Sequence, residues 1–191
     1  MLICGVDEAG RGPIAGPVCA AAVILPENFS SILAPFNLEL ADSKKIVSEK
    51  RQTIYEFIIT HSISANYAFI NPRIIEKINI HNATLLAMKK AVKSLKIKPD
   101  LILVDGKFTP EINIKRMAVI KGDASIPCIQ AASILAKVAR DNFMHKYHHH
   151  YPDFNFSQHK GYPTIQHKNA VKKHGVCPIH RKSFQGVREH L

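Results

Sequence analysis

No stretch of this 191-residue chain is apolar for the ~18 residues that a membrane-spanning helix needs. No basic segment precedes the apolar start, and Asp7 interrupts it, so the N-terminus does not read as a secretory signal. Cysteine is sparse: Cys4, Cys19, Cys128 and Cys177 lie far apart and form no C-x-x-C pair. They read as reduced thiols of a cytoplasmic protein rather than as disulfides or a zinc site. Internal repeats, low-complexity tracts and linkers are missing too, which favours a single domain over residues 1–191. Acid is scarce, with 15 Asp and Glu against 26 Lys and Arg, a formal net charge of +11. That excess favours a polyanionic partner, nucleic acid first. A lysine-rich proteome would produce the same balance, so charge alone does not decide. The hydrophobic fraction of 46% is that of a globular protein and too high for a disordered one.

The patterning predicts a succession of strands and helices. Residues 2–6 read as a strand buried on both faces, 10–16 as a loop, and 18–25 as a second strand ended by Pro26. Residues 27–41 read as irregular, and Asp42-Ser43-Lys44-Lys45 as a polar knot. Ser48 reads as the N-cap of a helix to about Ile59. A third strand follows over 63–70, then Asn71-Pro72 as N-cap and first helical residue. A short helix runs to about Ile78, and an amphipathic one carries Ile80, Ala83, Thr84, Ala87, Met88, Ala91 and Leu95 on one face. Residues 101–104 read as a fourth, central strand and 117–120 as a fifth. Ser125 and Pro127 open a long helix that frays at His148-His149-His150. Residues 154–163 read as a loop, 164–174 as a helix with Gly175 at C′, and 178–191 as half helical. This order fits an α/β fold: a mixed five-stranded sheet flanked by helices, an antiparallel meander first and parallel strands later.

Asp7, Asp105 and Asp123 share one context. Each stands just past a strand-like apolar run with a glycine close by, and sites in α/β sheets gather at strand ends. Adjacent strands lie about 4.8 Å apart, so such carboxylates can meet on metal. Glu8 is the awkward member, because along a regular strand Asp7 and Glu8 point to opposite faces. They share a site only if the pleat breaks, which Ala9-Gly10 permits. Any single Asp-Gly reads equally well as a turn cap; three in matching contexts beside Glu8 favour a metal site. All-oxygen ligation selects Mg²⁺ or Mn²⁺ over zinc. Two such ions about 4 Å apart would serve phosphodiester hydrolysis.

Six segments together resemble bacterial ribonuclease HII. They are Asp7-Glu8-Ala9-Gly10-Arg11-Gly12, Asp42-Ser43-Lys44-Lys45, Val104-Asp105-Gly106, Lys121-Gly122-Asp123, the run from Ala131 to Asp141, and His159-Lys160-Gly161-Tyr162-Pro163-Thr164. The resemblance covers nearly the whole chain in order. It implies a ribonuclease H-like fold, cleavage of RNA in RNA–DNA hybrids, and incision 5′ to single ribonucleotides in duplex DNA, leaving 3′-hydroxyl and 5′-phosphate ends. It implies that Asp7, Glu8, Asp105 and Asp123 are the catalytic, metal-binding acids, with two Mg²⁺ or Mn²⁺ ions when substrate is bound. Gly10, Arg11 and Gly12 would recognise the 2′-hydroxyl that distinguishes RNA from DNA. Tyr162 would pack on the next sugar at the RNA-to-DNA junction, while Lys44 and the helix start near Ser125 would hold phosphates. The segment 160–191 would close the substrate groove as a helical C-terminal part. The type 3 ribonuclease H family is similar in the core, but usually has lysine where Arg11 stands and an extra N-terminal domain.

Other residues read less distinctly. Ser133 and Lys137 share one helix face, either as an exposed surface or as a phosphate contact. His145 and His149 are also spaced i, i+4, but a solvated helix end suits that histidine run better than a metal. His167 and His174 have no carboxylate motif beside them and receive no role. Besides ribonuclease HII, another two-metal nuclease of the same fold and a non-catalytic basic nucleic-acid binder stay open. A monomer without membrane contact is expected, and the C-terminus shows no motif for a replication clamp.

Overall fold

The structure, a computed structural model, describes residues 1–41, 43 and 46–191. Its five strands are β1 (Ile3–Ala9), β2 (Val18–Ile24), β3 (Ser64–Ile70), β4 (Leu101–Asp105) and β5 (Lys115–Val119). They form one sheet in the order β3-β2-β1-β4-β5. β1, β2 and β3 pair antiparallel, whereas β4 joins β1 and β5 joins β4 in parallel. The expected meander followed by parallel strands is therefore the observed topology. β4 is an interior strand as expected, and the middle position belongs to β1. The helices are α1 (Phe29–Leu33), α2 (Ser48–His61), α3 (Pro72–Lys93), α4 (Pro127–His150), α5 (Phe156–His159) and α6 (Ile165–His174).

Two helices cover the two faces. Cys4, Val6, Ala20, Ala22, Ile102 and Val104 pack against Ala83, Ala87 and Ala91 of α3. Cys19, Ala21 and Val23 face Ala132, Leu135, Ala136 and Ala139 of α4. β2, of sequence VCAAAVI, is buried along its whole length, and its small side chains let both helices approach closely. α4 comes closest at Gly5, where a Cβ would lie 2.1 Å from the main-chain carbon of Cys128. Only glycine fits there, so the start of α4 is seated on β1 just before its acids.

Several local expectations need correction. Residues 27–41 contain α1 and a 3-10 turn at Ala34–Phe36, because Phe29 and Leu33, one turn apart, both find the core. Ser48 is helical and Val47 takes the cap position without a side-chain bond. Asn71 does cap α3, its side chain accepting from the Ile74 N–H at 3.0 Å. The break expected near Ile78 falls at Asn79, whose φ is 64°. α4 does not fray at its histidines but continues to His150, with Tyr147 stacked on Phe143 at 4.4 Å. The stretch 154–163 contains α5 rather than loop alone, and beyond α6 the only helical turn among the described residues is Arg188–His190. The C-terminal part is thus less helical than expected. No helix is long and apolar enough to cross a membrane among the described residues.

Candidate active site

Parallel pairing places the acids. β1 and β4 run in register at Val6↔Val104, so Asp7 and Asp105 follow side by side on the face turned to α4. Asp123 arrives from the 3-10 turn Gly122–Ala124 after β5. Carboxylate oxygens of Asp7, Asp105 and Asp123 all lie within 4.8 Å of one another. The Asp123 N–H points at Asp105 Oδ1 at 3.4 Å, and Asp7 Oδ1 accepts from the Glu8 N–H at 2.7 Å.

The break expected at Ala9 does not occur. The β1–β2 ladder continues through Asp7↔Ala21, Glu8↔Ala20 and Ala9↔Cys19. Glu8 therefore starts on the α3 side, where it lines a small recess with His81, Thr84 and Met88. It also lines the cavity above the three aspartates, but it is not among the carboxylates that converge within 4.8 Å. Arg11 Nη1 lies 3.6 Å from Glu8 Oε1.

Asp7 is 5% exposed. Burial holds its carboxyl well above the usual carboxylate range, and the charges of Glu8 and Asp105 push it in the same direction. A hydrogen bond with Ser133 opposes that rise. Ser133 is itself buried and lies 3.0 Å from the Ser43 hydroxyl. The reading of Ser133 as an exposed helix face is thus corrected: it supports Asp7 from below. Lys137, one turn on, is half-buried and pairs with Asp141 at 2.8 Å.

One cavity of about 350 Å³ gathers Asp7, Glu8, Gly10, Arg11, Gly12, Asp105, Asp123, Ser133, Lys137 and Tyr162, with Ser43 and Ala9. Ten residues singled out in the sequence thus line one space. Lys44 lies outside the described residues. Ser125 is exposed just before α4 and is not among the residues lining this cavity. A larger cavity of about 800 Å³ sits between the end of α3 and the start of β5. It lies at the opposite end of the strands from the acids.

The donor set fits divalent cations. Three carboxylates converge, and Asp7 is held by burial and its acidic neighbours in a state that a cation would relieve. Hard oxygen ligands suit Mg²⁺ or Mn²⁺.

Sequence reasoning missed what braces the site. Arg140 and Arg181 are 1% and 0% exposed, and both are spent on main-chain carbonyls, all but one of them in the loop after β1. Arg140 donates to Pro17, Ala15 and Lys160. Arg181 donates to Gly16, Arg11 and Gly10. Arg140 also lies 5.9 Å from the Tyr162 ring centroid, within cation–π range. A charged residue four after Ala136 on the buried stripe of α4 was the one available signal for Arg140. Arg181 had none. His167, given no role above, is buried against His159 and His180.

Fold and site together define a ribonuclease H-like nuclease, with carboxylates gathered at the ends of a mixed five-stranded sheet. The family model described as Ribonuclease HII matches residues 4–187. The chain belongs to the ribonuclease HII family, a family of endonucleases. It is 48% identical over 190 residues to a Ribonuclease HII of Polaromonas sp., covering 100% of this chain and 92% of that one. With the Ribonuclease HII of Borreliella burgdorferi it shares 51% over 185 residues, 96% of this chain and 99% of the other. The ribonuclease H2 from Pyrococcus horikoshii superposes with a TM-score of 0.82 at 27% identity, over 99% of this chain and 96% of that one. The fold is also that of Bst-RNase HIII in complex with Mn²⁺, at a TM-score of 0.72 and 15% identity, covering 100% of this chain and 69% of that one.

Proposed function

We propose that the protein cuts the RNA strand of RNA–DNA hybrids and incises duplex DNA on the 5′ side of single embedded ribonucleotides, leaving 3′-hydroxyl and 5′-phosphate ends. The observation that carries this reading is the convergence of Asp7, Asp105 and Asp123 at the floor of a cavity whose rim is formed by Gly10, Arg11, Gly12 and Tyr162. The floor suits phosphodiester hydrolysis and the rim suits recognition of one sugar.

Asp7, Asp105 and Asp123 would hold Mg²⁺ or Mn²⁺, with Glu8 joining from the wall of the same cavity. Two such ions, when bound, would stabilise the attacking and the leaving oxygen. The remaining work belongs to the chain. Residues 10–12 lie next to the acids, where their main chain would meet a 2′-hydroxyl, and the absence of a side chain at Gly12 leaves that approach open. Arg11, half exposed, faces the phosphate path. Tyr162 is 42% exposed, so its ring is free to pack on the next sugar. Lys137 can meet a phosphate oxygen by leaving Asp141, and Lys44 would hold a flanking phosphate. Residues 160–191 would close the groove on the Tyr162 side. The net charge of +11 draws the duplex in.

A purely binding role is disfavoured, because carboxylates facing phosphate without cations weaken the complex. Incubation with a DNA duplex carrying one ribonucleotide, with Mg²⁺ or Mn²⁺, tests the proposal. Incision 5′ to the ribonucleotide is expected; an intact strand would overturn it.

A further inference from the structure

We infer that the adjacent residues His180 and Arg181 are a positioning pair that holds two recognition segments, residues 10–12 and Tyr162, in one fixed relation. The inference rests on the function proposed above.

The loop after β1 has no ladder to satisfy its carbonyls, which still need donors. Arg140 supplies those of Ala15 and Pro17, and Arg181 those of Gly10, Arg11 and Gly16. Its Nη2 reaches the Gly10 carbonyl at 2.6 Å, Nη1 the Arg11 carbonyl at 2.9 Å, and Nε the Gly16 carbonyl at 2.9 Å. Its own N–H donates to Ile14 at 2.8 Å. A planar guanidinium spread over three carbonyls sets their spacing as a lysine could not.

His180 works on the other segment through a relay of one polarity. The Cys177 N–H donates to His180 Nδ1 at 2.9 Å, so the proton of a neutral His180 sits on Nε2. That Nε2–H meets His167 Nε2 at 3.0 Å, which must then accept. His167 therefore carries its proton on Nδ1 and donates to the Tyr162 carbonyl at 2.9 Å. A charge on either ring would set two N–H groups against each other. Burial keeps both neutral, with His180 pulled down to about 4 and His167 to about 3. His159, stacked on His167 at 4.3 Å, closes the other side.

Two consecutive residues thus grip the loop that reads the ribonucleotide and the main chain of the tyrosine beside it. A displacement of either one changes the distance between the two readers. A hybrid offers a ribonucleotide at every register, so a loosened site can still find a productive step. A single embedded ribonucleotide offers one, and should suffer more.

The test compares wild type, Arg181→Lys and His180→Gln on a single-ribonucleotide duplex and on a long RNA–DNA hybrid. For both variants kcat on the single-ribonucleotide duplex should fall by about tenfold or more, as misplacement near a reacting centre does. KM should change less, and the ratio of single-site to hybrid cleavage should drop. An equal loss on both substrates would show a merely structural role and overturn the inference. Wild type failing on the single ribonucleotide would overturn the proposed function; wild type cutting with unchanged variant ratios would overturn the positioning pair alone. Should a variant not fold, ¹⁵N NMR of wild-type imidazoles decides. Neutral rings with His180 protonated at Nε2 and His167 at Nδ1 between pH 5.5 and 8 are expected. A charged ring or the reverse tautomers would refute the relay.

Discussion

Asp7 and Asp105 stand side by side because β1 and β4 are parallel and in register one residue earlier, at Val6↔Val104. Their repulsion, with that of Glu8 and the burial of Asp7, biases the metal-free site toward a protonated Asp7. A folded-state value above the unfolded one means that stability falls as pH rises from the ordinary carboxylate range toward the raised value. Asp7→Asn removes that loss. At neutral pH without metal it should raise Tm by about 2–4 °C, the change produced by roughly 1 kcal/mol in a chain of this size. Cleavage should vanish, and added Mn²⁺ should no longer raise Tm. Thermal melts with and without Mn²⁺ check this; an Asp7→Asn protein that melts lower or still responds fully to Mn²⁺ would contradict it.

Replacing Tyr162 by Ala should cost about 10²-fold in kcat on a single-ribonucleotide duplex, and less on a hybrid. The ring is partly exposed and its main chain is held independently by His167, so the fold should persist. Tyr162→Phe keeps the packing surface and should stay near wild type. Comparable rates for wild type and the alanine variant would rule out a junction role.

Gly10 and Gly106 form a matched pair of controls. Both have positive φ, 93° and 95°. A Cβ at Gly10 would lie 2.0 Å from Arg140 Nε, whereas one at Gly106 meets nothing within 4 Å. Gly106→Ala should therefore cost only the left-handed backbone, about 1 kcal/mol. Gly10→Ala must also displace a buried arginine, and should lose clearly more stability along with incision. Denaturant melts would show it; equal losses would mean that the Arg140 brace gives way freely.

The histidine relay sets an acid limit. His167 and His180 titrate in the folded state at about 3 and about 4, below the ordinary value of 6.5. Their contribution is full above about pH 6.5 and is lost as pH falls toward about 4. Tm should thus drop through that window, and His180→Gln should flatten the drop. A wild-type Tm constant from pH 7 to pH 4.5 would speak against two buried neutral histidines.

Much of the fold was legible because strand and helix periods are local. The alternation of β3, the stripe of α3 and the Asn71-Pro72 start each need only neighbours along the chain. The errors fell where tertiary contact overrode local pattern. Phe29 and Leu33 wind a short helix because the core accepts both, and β1 stays pleated to Ala9 because β2 offers it a ladder.

The sequence by itself determined the chemistry. Carboxylates at strand ends with glycines beside them, in a basic chain, select divalent cations and phosphate. Tertiary structure decided which of them meet. Parallel pairing put Asp7 and Asp105 on one face, and an unbroken pleat set Glu8 on the other. Two buried arginines and a chain of neutral histidines brace the loop and the tyrosine. Arg181 and Gly10 are 171 positions apart, and no local period encodes a contact of that span. It forms only when the C-terminal segment folds back on β1, where buried carbonyls must find donors.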